Sequence, residues 1–533
     1  MAILDTSLDP RTSSYLDNRG LMTAALGEID NAVAEACEGG GEKHVTRHHA
    51  RGKLLPRERI ELLVDRDSAF LEFSTLAGYG TGQPVGAGVV TGLAVVAGRP
   101  CVLTANDPTV RGGALNAYTV RKLARAAEIA LANHLPLVSL VESDGPDPAA
   151  GDELLLAGGA SLRDQALLRA AGVPAICAVF GVASGVTLPA IADQTILVRG
   201  QARVHLAGPH LVRAATGETV DDEALGGATL HATRTGMAHQ LAEDERDALR
   251  LVRQAVDRLC PEVAEPPGSA RASRCQEGSR ERSGVRSEFS QRRVVPPRHE
   301  VEDLLAVARG DDPFDPREIL ARILDASEFD EVAPLFGEGL RTGFGSVHGH
   351  RVGVIASASP LLGVDEVAKA ARFVQLAAAA RVPLVFLPNT SGFGLGVGQE
   401  GGGISVHAAA LVQTIATCPV PMITIAVGGA HGPAGQVLGG RSMRPRFLFS
   451  WPNARAAMMP PDQLQAAAAH RTAIDETGGG SVAADLGPEA SALHQSGLLH
   501  DDGVIDPRDT RTILGICLSV LPPIGAMPAL GRA

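Results

Sequence analysis

The sequence predicts an α/β protein made of two similar domains in tandem, and three observations support this prediction. The chain has 533 residues, which suits two domains better than one. Short, continuously apolar segments alternate with amphipathic helical patterns, as in parallel sheets whose strands are joined by helical crossovers and covered on both faces. Two of these segments in the first half of the chain also recur in the second half.

The recurrence relates two pairs of segments. Residues 135–140 resemble residues 382–387, and residues 173–179 resemble residues 420–426. In the first pair, each segment follows an alanine-rich helical pattern and precedes a polar turn that contains glycine. Because the same offset along the chain relates both pairs, we interpret them as copies of one domain. Two unrelated α/β domains with similar Val-Pro strand starts are the alternative.

From this repeat we predict an N-terminal domain over residues 1–262 and a C-terminal domain over residues 301–533. The intervening residues 263–300 are rich in Pro, Ser, Arg, Gln and Glu and contain few aliphatic side chains. This composition is typical of a solvated linker. The arginines of the linker could also contact a partner, but a hydrated linker is the favoured interpretation.

The composition argues against several classes of protein. Apolar residues make up 45% of the chain, which allows large cores, and a net charge of -12 without a basic stripe argues against a nucleic acid partner. The charge-free residues 170–192 are long enough to cross a bilayer, but Pro174, Pro189 and several glycines favour a buried strand, a turn and the start of a helix. We therefore expect no membrane span.

The cysteines and histidines indicate neither a disulfide framework nor a metal site. The seven cysteines include no Cys-x-x-Cys pair, which favours buried thiols in a reducing cytoplasm. His44, His48 and His49 lie close together in the sequence, but no fourth ligand or acid is spaced to complete a metal site with them.

Several short segments are similar to the signatures of one family. They are residues 48–54, 57–60, 105–113, 214–218 and 225–228 in the first half, and residues 315–319, 400–404, 444–455 and 501–507 in the second. Together they resemble the carboxyltransferase (beta) subunits of biotin-dependent acyl-CoA carboxylases of the methylcrotonoyl- and propionyl-CoA carboxylase type. Residues 451–455 are more similar to the methylcrotonoyl- and geranyl-CoA branch than to the propionyl branch.

The resemblance implies two crotonase (ClpP)-like domains, an N-terminal one that binds coenzyme A thioesters and a C-terminal one that faces biotin. It implies a homo-hexamer or hetero-oligomer, with biotin supplied by a partner chain that carries biotin carboxylase and biotin carrier functions. The carboxyl group passes from carboxybiotin to an acyl- or enoyl-CoA through an enolate. Backbone N–H groups in oxyanion holes suit this chemistry, so no Ser-His-Asp or Cys-His set is expected.

The first candidate oxyanion loop comprises Ser143, Asp144 and Gly145. The family places two adjacent glycines and an alanine after the serine, whereas this chain has Asp144 at the first glycine and Pro146, which lacks an N–H group, at the alanine. The carboxylate of Asp144 would oppose a developing anion unless it is turned away. The following glycine-containing loop, with Gly181 and Gly185, is shorter than in the family.

The second candidate loop comprises His431, Gly432, Pro433, Ala434 and Gly435. By the resemblance, Pro433 and Ala434 fall on the pair of amides that faces biotin, and proline cannot donate. Either Ala434 and Gly435 take over through a shifted loop, or half of this hole is lost. His431 is a candidate acid or base, with a packing role as the alternative.

The resemblance also implies a set of residues that bind coenzyme A or biotin. Arg51 and Lys53 match residues that approach the phosphates of coenzyme A, where cations suit the anionic ligand. A surface pair just before a helix is the alternative for these two. The remaining members of this set are Gly112, Gly181, Gly185, Gly392 and Phe393.

Three functions follow from these motifs. The first is a working carboxyltransferase subunit of an acyl-CoA carboxylase. The second is a diverged, pathway-specific enzyme that uses acyl-CoA for acyl transfer, hydrolysis or decarboxylation without biotin. The third is a non-catalytic paralogue that holds an assembly together. The altered loops lower the expectation of ordinary carboxylation and leave the predicted fold unchanged.

Overall fold

The computed structural model describes residues 2–185, 188–260, 294–308, 312–460, 463 and 489–523. Most of the predicted linker, residues 263–293, therefore lies outside the described residues. The strands are β1 (Ala2–Ile3), β2 (Leu71–Glu72), β3 (Val89–Val96), β4 (Arg99–Asn106), β5 (Leu137–Ser143), β6 (Ala175–Ser184), β7 (Gln194–Val198), β8 (Arg203–His205), β9 (Gln240–Ala242), β10 (Glu328–Glu331), β11 (Leu340–Val347), β12 (His350–Ser357), β13 (Leu361–Leu362), β14 (Leu384–Leu387), β15 (Gly392–Phe393), β16 (Met422–Ala426) and β17 (Phe447–Ser450).

Helices pack against these strands. They are α1 (Ser13–Cys37), α2 (Glu42–His49), α3 (Pro56–Leu63), α4 (Ala117–Asn133), α5 (Asp152–Ala170), α6 (Leu188–Ile191), α7 (Pro209–Thr216), α8 (Asp222–Gly226), α9 (Ala228–Leu230), α10 (Glu245–Leu259), α11 (Arg317–Ile323), α12 (Val364–Ala379), α13 (Val397–Gly401), α14 (Ile404–Ala416), α15 (Gly432–Val437), α16 (Ala492–Gly497) and α17 (Thr510–Ser519). The predicted α/β class is confirmed.

The two large sheets share one topology. The first has the strand order β2-β3-β4-β5-β6-β7-β9, with β8 also paired to β6, and the second has the order β1-β10-β11-β12-β14-β16-β17. In both, antiparallel pairings lead into a parallel core. Two such pairings precede the parallel strands β4, β5, β6, β7 and β9 of the first sheet, and three, including that of β1 with β10, precede the parallel strands β12, β14, β16 and β17 of the second. Leu137 lies opposite Ala175, and Leu384 lies opposite Met422. The matched registers confirm the internal duplication.

The duplication extends to two corresponding ion pairs. Asp65 accepts hydrogen bonds from the turn between β3 and β4 at 2.9 and 2.6 Å and pairs with Arg253 at 2.7 Å. Asp325 caps the turn between β11 and β12 in the same way, at 3.0 and 2.7 Å, and pairs with Arg511 at 2.6 Å. Each carboxylate therefore ties a hairpin to a later helix of its own unit.

The two units share one core. The largest buried hydrophobic cluster contains Val102 and Ile129 from the first unit together with Phe449 and Trp451 from the second. The start of the chain also belongs to the second sheet, because β1 pairs antiparallel with β10. The predicted division of the chain into residues 1–262 and 301–533 stays a prediction, since the first strand belongs to the second sheet.

The strands bring the candidate loops to the carboxyl ends of both parallel cores, where open α/β sheets bind ligands. Ser143 ends β5, and the second loop follows β16. The charge-free segment discussed above contains the buried strand β6, as predicted, and α6. In the described part of the chain, the helices are too short or too polar for a membrane span.

Candidate active site

The first candidate loop is a tight turn after β5 whose amides already have partners. The N–H of Asp144 donates to the carbonyl of Gly112 at 3.1 Å, and the N–H of Gly145 donates to Ser143 Oγ at 3.1 Å. Gly145 has a φ of +91°, and a Cβ there would lie 2.4 Å from the carbonyl oxygen of Ser184. Only glycine therefore fits this position.

The rest of the turn offers no further donor among the described residues. Pro146 has no N–H group, and the N–H of Asp147 donates to the carbonyl of Leu115 at 2.9 Å. In the facing loop, the N–H of Gly185 donates to the carbonyl of His205 at 2.9 Å. Residues 186 and 187 of that loop lie outside the described residues. An oxyanion bound in this turn would have to replace one of these protein hydrogen bonds.

The side chain of Asp144 lies over Gly112 and away from the cavity described below. A Cβ on Gly112 would lie 2.1 Å from Asp144 Oδ2, so only glycine leaves room for this carboxylate. Burial and then the negative charge of Glu142 raise the pKa of Asp144. Asp144 is thus turned outward, which is the condition under which it leaves an enolate undisturbed.

A buried network of charged side chains, which the sequence did not reveal, contacts the residue that precedes this turn. Arg59 is fully buried and pairs with Glu142 at 2.7 Å and with Glu245 at 2.8 Å, while its guanidinium lies 4.4 Å from the ring centre of Phe180. Burial alone would raise the pKa of Glu142, but Arg59 and Lys53 outweigh burial and hold it below its usual value. Glu142 directly precedes Ser143, so the network anchors the base of the turn.

The two predicted coenzyme A cations occupy different environments. Lys53 Nζ pairs with Glu142 and donates to the carbonyl of Phe180 at 3.0 Å, so its ammonium belongs to the buried network. Gly181 makes this possible, because a Cβ there would lie 2.4 Å from Glu142 Oε1. Arg51, in contrast, is exposed after α2. The phosphate contact stays a prediction for both, and the surroundings favour Arg51.

The histidines of the same region serve local structure. His48 Nε2 lies 3.1 Å from the carbonyl oxygen of Leu54, and burial lowers the pKa of His48. His49 Nε2 lies 3.1 Å from a carboxylate oxygen of Glu58. Both side chains therefore have protein partners.

A cavity of about 500 Å³ adjoins the turn between α4 and α5. Ser143, Pro146, Asp147 and Gly185 contribute to its wall, so predicted site residues meet there. Most of the remaining wall is apolar, and it includes Leu115, Val120, Leu123, Val141, Leu154, Leu162 and Leu188. A largely apolar cavity of this size with a few polar groups is typical of small-molecule sites. It suits an acyl group whose thioester lies at the Ser143 turn.

The second candidate loop leads from β16 into α15. The N–H of Gly429 donates to Asn389 Oδ1 at 2.8 Å, and the N–H of His431 donates to the carbonyl of Thr390 at 3.1 Å. Gly392 follows Thr390 by two residues, and its N–H donates to Thr390 Oγ1 at 3.2 Å. The N–H of Gly145 donates to Ser143 Oγ in the same way in the first loop. Gly392 and Phe393 form β15, beside this loop.

Among the described residues, one amide at the start of α15 has no hydrogen-bond partner. The N–H of Gly432 donates to the carbonyl of Ala457 at 2.8 Å, and that of Gly435 donates to the carbonyl of His431 at 3.0 Å. Pro433 has no N–H group. Within the described part of the chain, the N–H of Ala434 therefore stays available, although Ala434 is buried. Because the N–H of Gly435 is hydrogen-bonded in the helix, the described residues favour the half-lost alternative for this hole, which stays a prediction.

His431 is fully buried beside the loop. A Cβ on Gly429 would lie 3.2 Å from its imidazole ring, so the ring fills the space beneath this glycine. Complete burial supports the packing role, and an acid or base role stays a hypothesis.

Comparison with known proteins agrees with this geometry. The model of the carboxyl transferase domain matches residues 47–522, which include both candidate loops and the cavity. The chain belongs to the carboxyl transferase family. It is 43% identical to a Mycobacterium tuberculosis protein named "probable biotin-dependent acyl-coenzyme A carboxylase beta2 subunit", with 97% of each chain covered. It is 38% identical to the biotin-dependent 3-methylcrotonyl-coenzyme A carboxylase beta1 subunit of the same organism, with 95% of each covered.

A solved structure of the family supports the architecture. The crystal structure of the P. aeruginosa geranyl-CoA carboxylase beta subunit superposes with a TM-score of 0.86 at 33% identity, covering 100% of this chain and 99% of that one. This carboxyl transferase therefore has the expected pair of crotonase-like domains. The sequence signatures identified the family, whereas the buried network and the cavity emerge only from the packed structure.

Proposed function

We propose that this chain is the carboxyltransferase subunit of a biotin-dependent acyl-CoA carboxylase and transfers a carboxyl group from carboxybiotin to an acyl- or enoyl-CoA. The observation that carries the proposal is the family match over residues 47–522, which spans the acyl cavity and the second loop together. The relatives named above are acyl-CoA carboxylase subunits, so the alternatives without biotin and without catalysis are not favoured.

The two units divide the reaction. In the first, the apolar cavity holds the acyl group, and we assign the contact with a coenzyme A phosphate to Arg51 because its cationic side chain is exposed. The Ser143 turn, held by the network around Glu142, positions the thioester. In the second, the buried amide of Ala434 is the donor available to a ureido oxygen of biotin. Carboxybiotin, when bound, would supply carbon dioxide to the thioester enolate, and its ureido group would take up the substrate proton. The Ser143 turn would hold the thioester, and the amide of Ala434 would face the ureido oxygen.

A partner must deliver biotin, and we propose a biotin carboxylase and biotin carrier subunit in this role. We also propose assembly into a hexamer or hetero-oligomer. Leu395, Val397 and Val406 are 71%, 91% and 72% exposed around α13 and α14, and apolar groups grouped in this way suit a subunit contact. The six described cysteines are free thiols, which suits the cytoplasm as the compartment.

The proposal is tested by transfer of radiolabelled carboxylate. The full chain is mixed with a biotin carboxylase, its biotinylated carrier, ATP and labelled bicarbonate, and label is measured in a panel of acyl-CoA thioesters. We expect acid-stable label in at least one thioester, and none when the carrier lacks biotin. Acyl-CoA turnover that is independent of biotin would contradict the proposal. Light scattering of the same preparation tests the assembly.

A further inference from the structure

The polar side chains in the wall of the acyl cavity fall into two groups. Those of the first group already have protein partners. Thr104 Oγ1 donates to Ser139 Oγ at 3.0 Å, Ser143 Oγ accepts from Gly145, and Asp147 Oδ1 accepts from the N–H of Ala149 at 2.9 Å. A ligand gains little from these groups, because it would have to compete with an existing hydrogen bond.

Asn106 belongs to the second group. It is the last residue of β4, only 7% of it is exposed, and it lines the cavity. Its Nδ2 is buried and has no hydrogen-bond partner in the part of the chain that the structure describes. Buried amide groups in native proteins are nearly always hydrogen-bonded, because an unpaired donor in an apolar site is costly. The missing partner of Asn106 is therefore expected to arrive with the ligand.

Gln165 of α5 presents the complementary group in the same wall. Its Nε2 donates to Ser161 Oγ at 3.5 Å, whereas its Oε1 is buried without a hydrogen-bond partner among the described residues. Two residues of the wall thus carry a polar atom that is unused among the described residues, a donor on Asn106 and an acceptor on Gln165. A hydroxyl group can accept from the first and donate to the second, which a hydrocarbon chain cannot do.

The charged groups of the cavity wall further limit which substituents the acyl chain can carry. Its described wall contains no lysine or arginine, and the charged side chain in it is that of Asp147. A second carboxylate on the acyl chain would lie near this anion without a cation to balance it. A neutral oxygen substituent meets no such cost. Gly158 and Gly159 of α5 also line the cavity, and a Cβ on either would meet no atom within 4 Å, so the wall leaves room for a substituted chain.

We propose that the acyl substrate of this chain carries a hydroxyl group on its carbon chain, held by Asn106 and Gln165. The inference rests on the proposed function, because it takes the cavity to hold the acyl group. It defines the substrate class as hydroxyacyl-CoA thioesters. Asn106 and Gln165 are the residues that distinguish such a substrate from an unsubstituted acyl-CoA.

The test measures binding, so it does not depend on carboxyl transfer. Dissociation constants of the full chain are measured by titration calorimetry for octanoyl-CoA and for a set of hydroxyoctanoyl-CoA isomers, each with one hydroxyl group. We expect at least one isomer to bind about tenfold or more tightly than octanoyl-CoA, as for one hydrogen bond to a buried group. The variant Asn106→Leu should lose this preference, and octanoyl-CoA should bind it at least as well as the wild type.

Thr104→Val is the matched control, since it removes a hydroxyl from the same wall that is already bonded within the protein. It should keep the preference. Equal binding of all thioesters to the wild type, or an unchanged preference in Asn106→Leu, would overturn the hydroxyl site and leave the proposed function standing. Failure of every thioester to bind would overturn the placement of the acyl group, and with it the proposed function. The wild-type comparison decides the matter even if the leucine variant does not fold.

Discussion

Pro433 limits the second loop to one available donor, and replacing it tests whether this loop stabilises an oxyanion. Of the four positions at the start of α15, the N–H groups of Gly432 and Gly435 are hydrogen-bonded and Pro433 cannot donate, while the N–H of Ala434 has no partner in the part of the chain that the structure describes. Pro433→Ala adds an N–H group next to that of Ala434. One donor in an oxyanion hole contributes about 10²–10³ in rate, or about 2.7–4 kcal/mol in the barrier. We therefore expect Pro433→Ala to accelerate carboxyl transfer by about 10²–10³-fold.

The assay is a single turnover, in which a pre-carboxylated biotin carrier is mixed with excess enzyme and acyl-CoA and quenched at intervals. This design measures the transfer step and excludes ATP-dependent carboxylation. Pro209→Ala is the matched control, because Pro209 also lies at the start of a helix, α7, outside the candidate site. The control should leave the rate unchanged. A folded Pro433→Ala variant with the wild-type rate would show that no amide is needed at this position and would refute the reasoning.

Three further predictions concern buried charges, each measured by urea unfolding. Glu142→Gln should lower the free energy of unfolding by about 3–5 kcal/mol, because Lys53 loses the carboxylate that it pairs with and Arg59 loses one carboxylate while retaining Glu245. A loss of only about 0–1 kcal/mol, as for an exposed pair, would contradict the network. Asp502 joins the two units through a bidentate ion pair with Arg125 at 2.8 and 2.9 Å. We expect Asp502→Asn to lower the free energy of unfolding by about 3–5 kcal/mol. The control Glu243→Gln removes an exposed pair and should lower it by about 0–1 kcal/mol. Burial alone would raise the pKa of Asp502, but Arg125 outweighs burial and holds this pKa well below the ordinary 3.8. The stabilisation from this pair is therefore present above about pH 4 and is lost as the pH falls further. Burial raises the pKa of Asp501 from 3.8 to about 6, so the free energy of unfolding should fall by about 3 kcal/mol as the pH rises through this interval. Asp501→Asn should remove this fall. A variant whose free energy of unfolding depends on pH as that of the wild type does would contradict the raised pKa of Asp501.

The parts of the fold that follow from local pattern could be predicted, and those that depend on distant contacts could not. The repeated apolar segments identified β5, β6, β14 and β16, because each strand carries its own signal of continuous apolar residues. The antiparallel pairing of β1 with β10 has no such signal, since two residues are too short for a pattern.

The same distinction holds within the site. Pro433 and Asp144 are visible as departures from a family motif, so their consequences could be stated from the sequence. Lys53 reads as a free cation because its partner Glu142 lies 89 residues away and is itself unremarkable in the sequence. Asn106 lies in a recognised segment, but only the packed cavity between α4 and α5 shows that its Nδ2 has no hydrogen-bond partner among the described residues.

The pairing of β1 with the second sheet affects how the chain folds during its synthesis. Ala2 and Ile3 pair with Phe329 and Glu328, which the ribosome adds after more than half of the chain has been synthesised. At ~5–20 residues per second, the first strand waits roughly 16–65 seconds for its neighbour. During this interval its backbone groups lack their final partners, and they remain open to pairing with another nascent chain. The first half can build its own sheet during synthesis, but the second sheet, which includes β1, closes only after its later strands up to β17 have been made.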